Sequence, residues 1–217
     1  MGVDPASQLN AVTCPFCLKP LAGFEAANVC PKCGEPQPLV KDESYFSVLN
    51  VSPKFSQDLD SLEKKFYAVS KILHPDRFTH RDADTQKRSL ERMSFLNEAY
   101  RTLKNPTLLR EYLLAHRGVP VSDPKAVPTD FAESWFVIQD LVMDSPDEAD
   151  LKLNEFMDRL KTRMAELDQK ILTSEKVFDE SGSVDALNQI GAVVPVLNYL
   201  KSLTRNVIQL RLRLAAE

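Results

Sequence analysis

The four cysteines of this chain occur as two pairs with identical spacing, Cys14–Cys17 and Cys30–Cys33. Two Cys-x-x-Cys motifs can place four thiolates around one metal ion in a tetrahedral arrangement. With four protein ligands such a site has no open position for a reactive water, which favours a structural role over catalysis. The spacing therefore predicts a small metal-binding domain over residues 1–40, with zinc as the expected ion and iron as the alternative.

Cysteine pairs with this spacing have two other known uses. Cys-x-x-Cys pairs also occur in oxidoreductases with a reactive thiol, and this alternative remains open from the sequence. A zinc ribbon that binds nucleic acid would need a basic surface. Residues 13–40 contain only Lys19 and Lys32 as basic residues, and the whole chain has a formal net charge of -4. We therefore expect no nucleic-acid partner.

The rest of the chain is predicted to be helical, which makes the fold class mainly α. An apolar stripe at steps of three and four residues indicates one helix face: Leu62, Phe66, Val69 and Leu73. The helix should end at His74, because Pro75 disfavours helical geometry in the residue before it. A second helix is predicted from a further apolar arc: Leu90, Met93, Leu96, Tyr100 and Leu103. A shorter helix is expected from Leu108 to about His116.

A proline-rich stretch over residues 119–130 is predicted to be a hinge, followed by a three-helix bundle over residues 131–217. The second bundle helix has a strong start signal. Ser145 is the expected N-cap, Pro146 occupies the first helical position, and Glu148 is placed to close a capping box.

The same bundle helix carries a stripe of apolar residues at helical spacing: Leu153, Phe156, Leu160, Met164, Leu167 and Ile171. Gly182 is the expected C-terminal stop. The third helix is predicted to run from about Ser183 to Leu214, with a kink at Pro195, which lacks the N–H needed for the helical hydrogen bond.

The loop between the first two predicted helices reads His74-Pro75-Asp76. Proline stiffens the loop, Asp76 offers a carboxylate to a partner arginine, and His74 can form a hydrogen bond that positions the loop. A plain interhelical turn with a capping aspartate is the structural alternative. A catalytic His–Asp pair is rejected because the motif contains no nucleophile. The loop is therefore predicted to dock a partner, and the chain is not expected to be an enzyme.

Several segments together resemble a J-domain. They are Tyr45-Phe46-Ser47-Val48-Leu49, the helix to Leu73, His74-Pro75-Asp76 with Arg77-Phe78, and Asn97-Glu98-Ala99-Tyr100. The segment from Asn105 to Gly118, which includes Tyr112-Leu113-Leu114, resembles the HscB (Jac-type) branch of this family. The cysteine-rich extension is similar to that of eukaryotic and some bacterial members. The resemblance implies a J-domain over residues 41–118 and a scaffold-binding bundle after it.

What the resemblance implies about function is specific. Members bring an IscU-like iron–sulfur scaffold protein to a DnaK-type (HscA-like) chaperone and stimulate its ATPase. By resemblance, the chaperone-binding residues would be His74, Pro75, Asp76, Lys64, Lys71 and Arg77. The scaffold-binding apolar patch would be Val137, Ile138, Leu141 and Tyr199. A general J-domain chaperone for unfolded clients is the alternative function.

The sequence also yields expectations about location. No apolar stretch approaches the ~20 residues that span a bilayer, so no membrane partner is expected. The N-terminus lacks the basic start and apolar core of a signal peptide. The expected compartment is the bacterial cytoplasm, or the mitochondrial matrix if a presequence has been removed.

Overall fold

Helices make up nearly all of the regular secondary structure in the computed structural model, which describes residues 13–121 and 128–214. Two isolated antiparallel β-bridges are the exception in the described ranges. The predicted mainly α fold class is confirmed. The chain divides into two compact units, one ending at Leu113 and the other starting at Leu114. The middle of the predicted hinge, residues 122–127, lies outside the described residues.

The first unit holds the two Cys-x-x-Cys motifs and the helices of the predicted J-domain. Its helices in the described residues are a short 3-10 helix (Glu25–Ala27), α1 (Tyr45–Val48), α2 (Leu59–Leu73), a second 3-10 helix (Pro75–Phe78), α3 (Ala83–Lys104) and α4 (Pro106–His116). The division between the two units falls within α4. Side-chain oxygens of Ser44, Asp58 and Asp82 each accept the N–H three residues ahead and so begin α1, α2 and α3.

The predicted apolar stripe of α2 is confirmed and packs against α3. Leu62, Val69 and Leu73 are completely buried. The ring of Phe66 stacks on Tyr100 of α3 with centroids 4.2 Å apart. Burying each such side chain contributes about 1.5–3 kcal/mol relative to leaving it in water. The pairing of these two helices therefore follows from the stripe that the sequence displays.

The predicted apolar arc of α3 is wrong at Leu90, which is 56% exposed. The buried face of α3 follows a helical spacing that begins with polar residues: Thr85, Ser89, Arg92, Leu96, Ala99 and Leu103. Leu96 and Leu103 belong to this face as expected. The N-terminal half of the face is polar because Thr85 and Arg92 donate hydrogen bonds to the cysteine-rich segment, as described below.

The second unit contains three helices, α5 (Thr129–Asp144), α6 (Pro146–Ser181) and α7 (Val184–Leu214). α6 packs against both α5 and α7. Its stripe is confirmed, with Leu153, Phe156, Leu160, Leu167 and Ile171 buried. α7 supplies the opposite side of the core through residues that include Ile190, Val194, Leu197, Leu200, Leu203 and Val207.

The ends of α6 match the prediction in part. Gly182 ends the helix in the left-handed conformation, with a φ of 69°, as expected. The predicted capping box is wrong, because the side chain of Ser145 forms no cap hydrogen bond. Ser145 also ends α5, and its backbone N–H donates to the Leu141 carbonyl at 2.8 Å. α7 continues as one helix through Pro195.

Candidate functional site

The sulfur atoms of Cys14, Cys17, Cys30 and Cys33 all lie within 4.8 Å of one another. Cys14 Sγ and Cys33 Sγ are 3.7 Å apart, and Cys17 Sγ and Cys30 Sγ are 3.8 Å apart. A tetrahedral ion with metal–sulfur bonds of about 2.3 Å requires sulfur–sulfur separations of roughly 3.8 Å. The four side chains therefore fit one tetrahedral metal ion.

Two knuckles with the same backbone geometry position these thiols. The Cys14 N–H donates to the Lys19 carbonyl, and the Cys14 carbonyl accepts from the Leu18 N–H, both at 2.9 Å. Cys30 forms the equivalent bonds with Glu35 and Gly34, also at 2.9 Å. Each knuckle is closed by one β-bridge, Thr13 to Pro20 in the first and Val29 to Pro36 in the second. The repeated fold explains why two equally spaced Cys-x-x-Cys motifs converge.

Hydrogen bonds to the sulfurs favour the thiolate form that a metal requires. The Lys32 N–H donates to Cys30 Sγ at 3.4 Å, and Gln37 Nε2 donates to Cys14 Sγ at 3.6 Å. Burial acts to raise the pKa of Cys14, but hydrogen bonds from the Cys17 and Phe16 backbone and from the Cys33 and Gln37 side chains together lower that pKa to about 6. The pKa of Cys33 is raised to about 12 by burial and then by hydrogen bonds with the other thiols.

The His74-Pro75-Asp76 loop joins α2 to the 3-10 helix that Pro75 begins. His74 Nδ1 accepts the Asp76 N–H at 3.3 Å. The imidazole therefore caps this short helix through a hydrogen bond of the kind that the sequence analysis expected of His74. The side chains of His74 and Asp76 are 52% and 85% exposed. Phe78, in contrast, is buried. The loop is therefore anchored by Phe78 and presents the aspartate carboxylate to solvent.

The predicted basic residues are exposed on the two helices that flank the start of this loop and continue from it. Lys64 and Lys71 are exposed on α2, and Arg77 is exposed on the 3-10 helix. Sequence reasoning missed Tyr67, which is 62% exposed and lies between the two lysines at helical spacing. The signal was an aromatic residue outside the apolar stripe. The exposed face of α2 thus combines positive charge with an aromatic ring.

The structure separates the residues predicted for scaffold binding. Val137 is 57% exposed on α5, whereas Ile138 is only 3% exposed and lies in the bundle core. Leu141 and Tyr199 are half-buried, and burial raises the pKa of Tyr199. Phe136, which sequence reasoning did not select, is 67% exposed next to Val137. Phe136 and Val137, hereafter the α5 patch, form an exposed apolar pair on this helix.

In the described part of the chain, none of the helices combines the length and the apolar character needed to cross a bilayer.

Comparison with known proteins agrees with these features. The DnaJ domain family model matches residues 44–112, which includes the His74-Pro75-Asp76 loop. The Co-chaperone protein HscB homolog of Colwellia psychrerythraea is 29% identical over 134 residues, covering 60% of this chain and 77% of the relative. The homolog from Neisseria meningitidis is 36% identical over 95 residues, covering 44% of this chain and 56% of the relative.

Solved structures share the fold. The crystal structure of human co-chaperone protein HscB has a TM-score of 0.65 at 20% identity, and the match covers 92% of this chain and 98% of that one. Chaperone HscB from Vibrio cholerae has a TM-score of 0.56 at 19% identity, covering 79% of this chain and 99% of that one. The chain therefore carries a DnaJ domain, is similar in sequence to curated HscB co-chaperones, and shares its fold with two solved HscB structures.

Proposed function

We propose that this protein stimulates the ATPase of a DnaK-type chaperone and delivers an IscU-like scaffold protein to it during iron–sulfur cluster assembly. The observation that carries the proposal is the exposed His74-Pro75-Asp76 loop of the DnaJ domain. The Asp76 carboxylate is 85% exposed, and the loop behind it is stiffened by Pro75 and by the His74 hydrogen bond. A rigid, exposed carboxylate is suited to a charge-assisted hydrogen bond with a partner arginine.

The exposed side chains of Lys64, Lys71 and Arg77 support docking on an acidic chaperone surface. Rim charges of this kind set the association rate and the orientation of the partners more than the final affinity. Tyr67 adds a large apolar surface at the centre of the same face. The binding energy would thus come from the loop and Tyr67, and the lysines would guide the encounter.

The α5 patch is the proposed contact for the scaffold. An exposed Phe136 beside an exposed Val137 is costly in water and fits an interaction surface. Binding the scaffold through one unit and the chaperone through the other would raise the local concentration of client at the chaperone. Leu141 and Tyr199, which are half-buried, would contribute their exposed edges, while Ile138 would support the patch from the core.

The metal is proposed to be zinc in a structural role. Cys14, Cys17, Cys30 and Cys33 supply four sulfur ligands in a closed set, and zinc prefers such tetrahedral thiolate sites. Bound metal would link the two knuckles. The Lys32 N–H and the Gln37 side-chain amide donate hydrogen bonds to the sulfurs of Cys30 and Cys14, which favour the thiolate forms of these two ligands.

The experiment is the steady-state ATPase of a cognate DnaK-type chaperone, with and without an IscU-like scaffold. Wild-type protein should stimulate hydrolysis, and scaffold should increase the effect synergistically. His74→Gln should abolish the stimulation. His80→Gln is the matched control, because His80 is an exposed histidine outside the loop, and it should behave like wild type.

Two results would change this proposal. Stimulation without any effect of the scaffold, together with binding of many denatured proteins, would favour the general chaperone for unfolded clients. The absence of stimulation with a chaperone of verified activity would contradict the co-chaperone mechanism itself.

A further inference from the structure

The cysteine-rich segment, residues 13–40 and hereafter the metal module, is attached to α3 through a buried carboxylate. The side chain of Glu35 is 12% exposed. It pairs with Arg81, which lies just before α3, and with Arg88 in the second turn of α3. Arg88 Nη2 donates to Glu35 Oε2 at 2.8 Å, and the Thr85 hydroxyl donates to the same oxygen at 3.0 Å. The guanidinium of Arg81 pairs with the other carboxylate oxygen.

The backbone of the same residue belongs to a metal knuckle. The Glu35 carbonyl accepts the Cys30 N–H at 2.9 Å. It also accepts Gln37 Nε2 at 2.8 Å, and that amide reaches Cys14 Sγ. Glu35 is thus bonded through its backbone to a metal-ligand residue and through its side chain to the J-domain. Glu35 therefore joins a knuckle that supplies two of the four sulfurs to the start of α3.

A second connection runs parallel to the first. The Gln37 carbonyl accepts Arg92 Nε at 2.5 Å, and Asn28 Oδ1 accepts Arg92 Nη1 at 3.1 Å. Arg92 is 2% exposed, so these acceptors compensate a buried charge. Phe16 adds a contact from the first knuckle, since the guanidinium carbon of Arg88 lies 4.4 Å from its ring centroid. Both knuckles therefore contact α3.

The part of α3 that the metal module contacts also holds the His74-Pro75-Asp76 loop. The Ser89 hydroxyl donates to the Leu73 carbonyl at 2.7 Å, at the residue just before the loop. On the other side, the Arg81 N–H donates to the Phe78 carbonyl at 2.9 Å. Arg81 and Ser89 thus connect both ends of the loop region to the segment that Glu35 binds.

We propose that metal binding at the four cysteines sets the order of the His74-Pro75-Asp76 loop, with Glu35 as the positioning residue that transmits it. When the knuckles lose the metal, the Glu35 carboxylate loses its fixed position and Arg81, Thr85 and Arg88 lose their common acceptor. The loop then loses an anchor although none of its own residues has changed. If the protein stimulates a chaperone ATPase as proposed above, that stimulation would then depend on metal supply. Only this last consequence rests on the proposed function.

Coupling of this kind is reciprocal: if metal binding orders the loop region, the ordered loop region must raise metal affinity by the same factor. A residue with a merely local structural role would not show this equality. Glu35→Gln is the informative variant, because it preserves side-chain shape and backbone bonds but removes the charge that three donors share. Glu91→Gln is the matched control on the exposed side of α3.

The test is amide hydrogen exchange over residues 74–92, with zinc-loaded and chelator-stripped full-length protein. Stripping should accelerate exchange in this segment of the wild type about tenfold, the effect of losing one charge-assisted hydrogen bond. Zinc-loaded Glu35→Gln should exchange faster than zinc-loaded wild type, respond less to stripping, and bind zinc about tenfold more weakly in competition with a chelator. Glu91→Gln should match the wild type throughout.

Unchanged exchange over residues 74–92 in stripped protein, while residues 13–37 become unprotected, would overturn the proposal. An unaltered zinc affinity in Glu35→Gln would also overturn it. These readouts need no chaperone, so they stand apart from the proposed function. If zinc-loaded wild type fails to stimulate the ATPase, the proposed function fails and exchange still decides the coupling.

Discussion

The carboxylate of Glu43 and the guanidinium of Arg92 form a bidentate pair between the segment before α1 and the middle of α3. Arg92 Nη1 lies 3.1 Å from Glu43 Oε1, and Nη2 lies 3.2 Å from Oε2. The Arg92 side chain is 2% exposed and that of Glu43 is 10% exposed. The pair is shielded from water, so its loss has different consequences from the loss of a surface ion pair.

Glu43→Ala should lower the free energy of unfolding of the first unit by about 3–5 kcal/mol, because it leaves a buried guanidinium without its anion. Urea unfolding followed by circular dichroism measures the change. The fluorescence of Trp135, which lies in the second unit, should keep its wild-type midpoint. Glu91→Ala, in an exposed pair with Lys87, should change stability by less than ~0.5 kcal/mol. Equal midpoints for Glu43→Ala and Glu91→Ala would contradict the assignment.

The two metal knuckles differ at one backbone position, and this yields a reciprocal pair of substitutions. Leu18 has a φ of 56° and Gly34 a φ of 75° at the equivalent place. A left-handed conformation costs a non-glycine residue roughly 1–2 kcal/mol, and Leu18 is 77% exposed, so its side chain recovers little of this. Leu18→Gly should therefore tighten zinc binding and Gly34→Ala should weaken it, as measured by chelator competition. Nothing lies within 4 Å of a Cβ built at Gly34, which leaves backbone strain as the cause. An unaltered zinc affinity in Gly34→Ala would show that a left-handed alanine at this position causes no backbone strain.

The four cysteines are expected to be unreactive when metal is bound. The protein as purified should contain one zinc ion per chain, and a thiol reagent should modify the cysteines only after a chelator is added. The closed set of four sulfurs within 4.8 Å is the reason. Rapid modification of one thiol in the zinc-loaded protein would instead favour the oxidoreductase alternative.

Gly191 in α7 is predicted to be required for close packing against Val119. A Cβ at position 191 would lie 2.8 Å from Val119 Cγ1. Gly191→Ala should therefore destabilise the second unit by about 1–3 kcal/mol, although alanine is the better helix former. Val119→Ala combined with Gly191→Ala should recover most of the loss in urea unfolding followed by Trp135 fluorescence. A single variant as stable as wild type would show that Val119 moves aside freely.

Substitutions at two adjacent residues of α5 should have different effects, one on scaffold binding and the other on the free energy of unfolding. Val137→Ser should change the unfolding free energy by less than ~0.5 kcal/mol and weaken binding of an IscU-like scaffold, because Val137 is 57% exposed. Ile138→Ala should cost about 2–5 kcal/mol of stability, because Ile138 is 3% exposed. Calorimetric titration with the scaffold and urea unfolding measure the two effects. Full scaffold affinity in Val137→Ser would remove Val137 from the proposed contact.

Much of the fold could be predicted because its signals are local. The apolar stripe of α2, from Leu62 to Leu73, fixes one helix face by spacing alone. Pro75 ends that helix through its own geometry, and Gly182 ends α6 because it adopts a left-handed conformation. The two Cys-x-x-Cys motifs indicate a metal site because sulfur chemistry and spacing are properties of the chain itself.

The tertiary structure alone decided which side of α3 is buried and what binds there. Hydrophobic periodicity favoured Leu90, yet Leu90 is exposed and Arg92 is buried. An arginine gives no sequence signal of burial, since burial depends on acceptors distant in the chain, here Glu43 and the Gln37 carbonyl. Packing in the bundle likewise separates Val137 from Ile138, two adjacent aliphatic residues of which only Ile138 is buried. Spacing and residue chemistry therefore determined the helices, the loop and the metal ligands, whereas the attachment of the metal module to α3 arose from contacts between residues far apart in sequence.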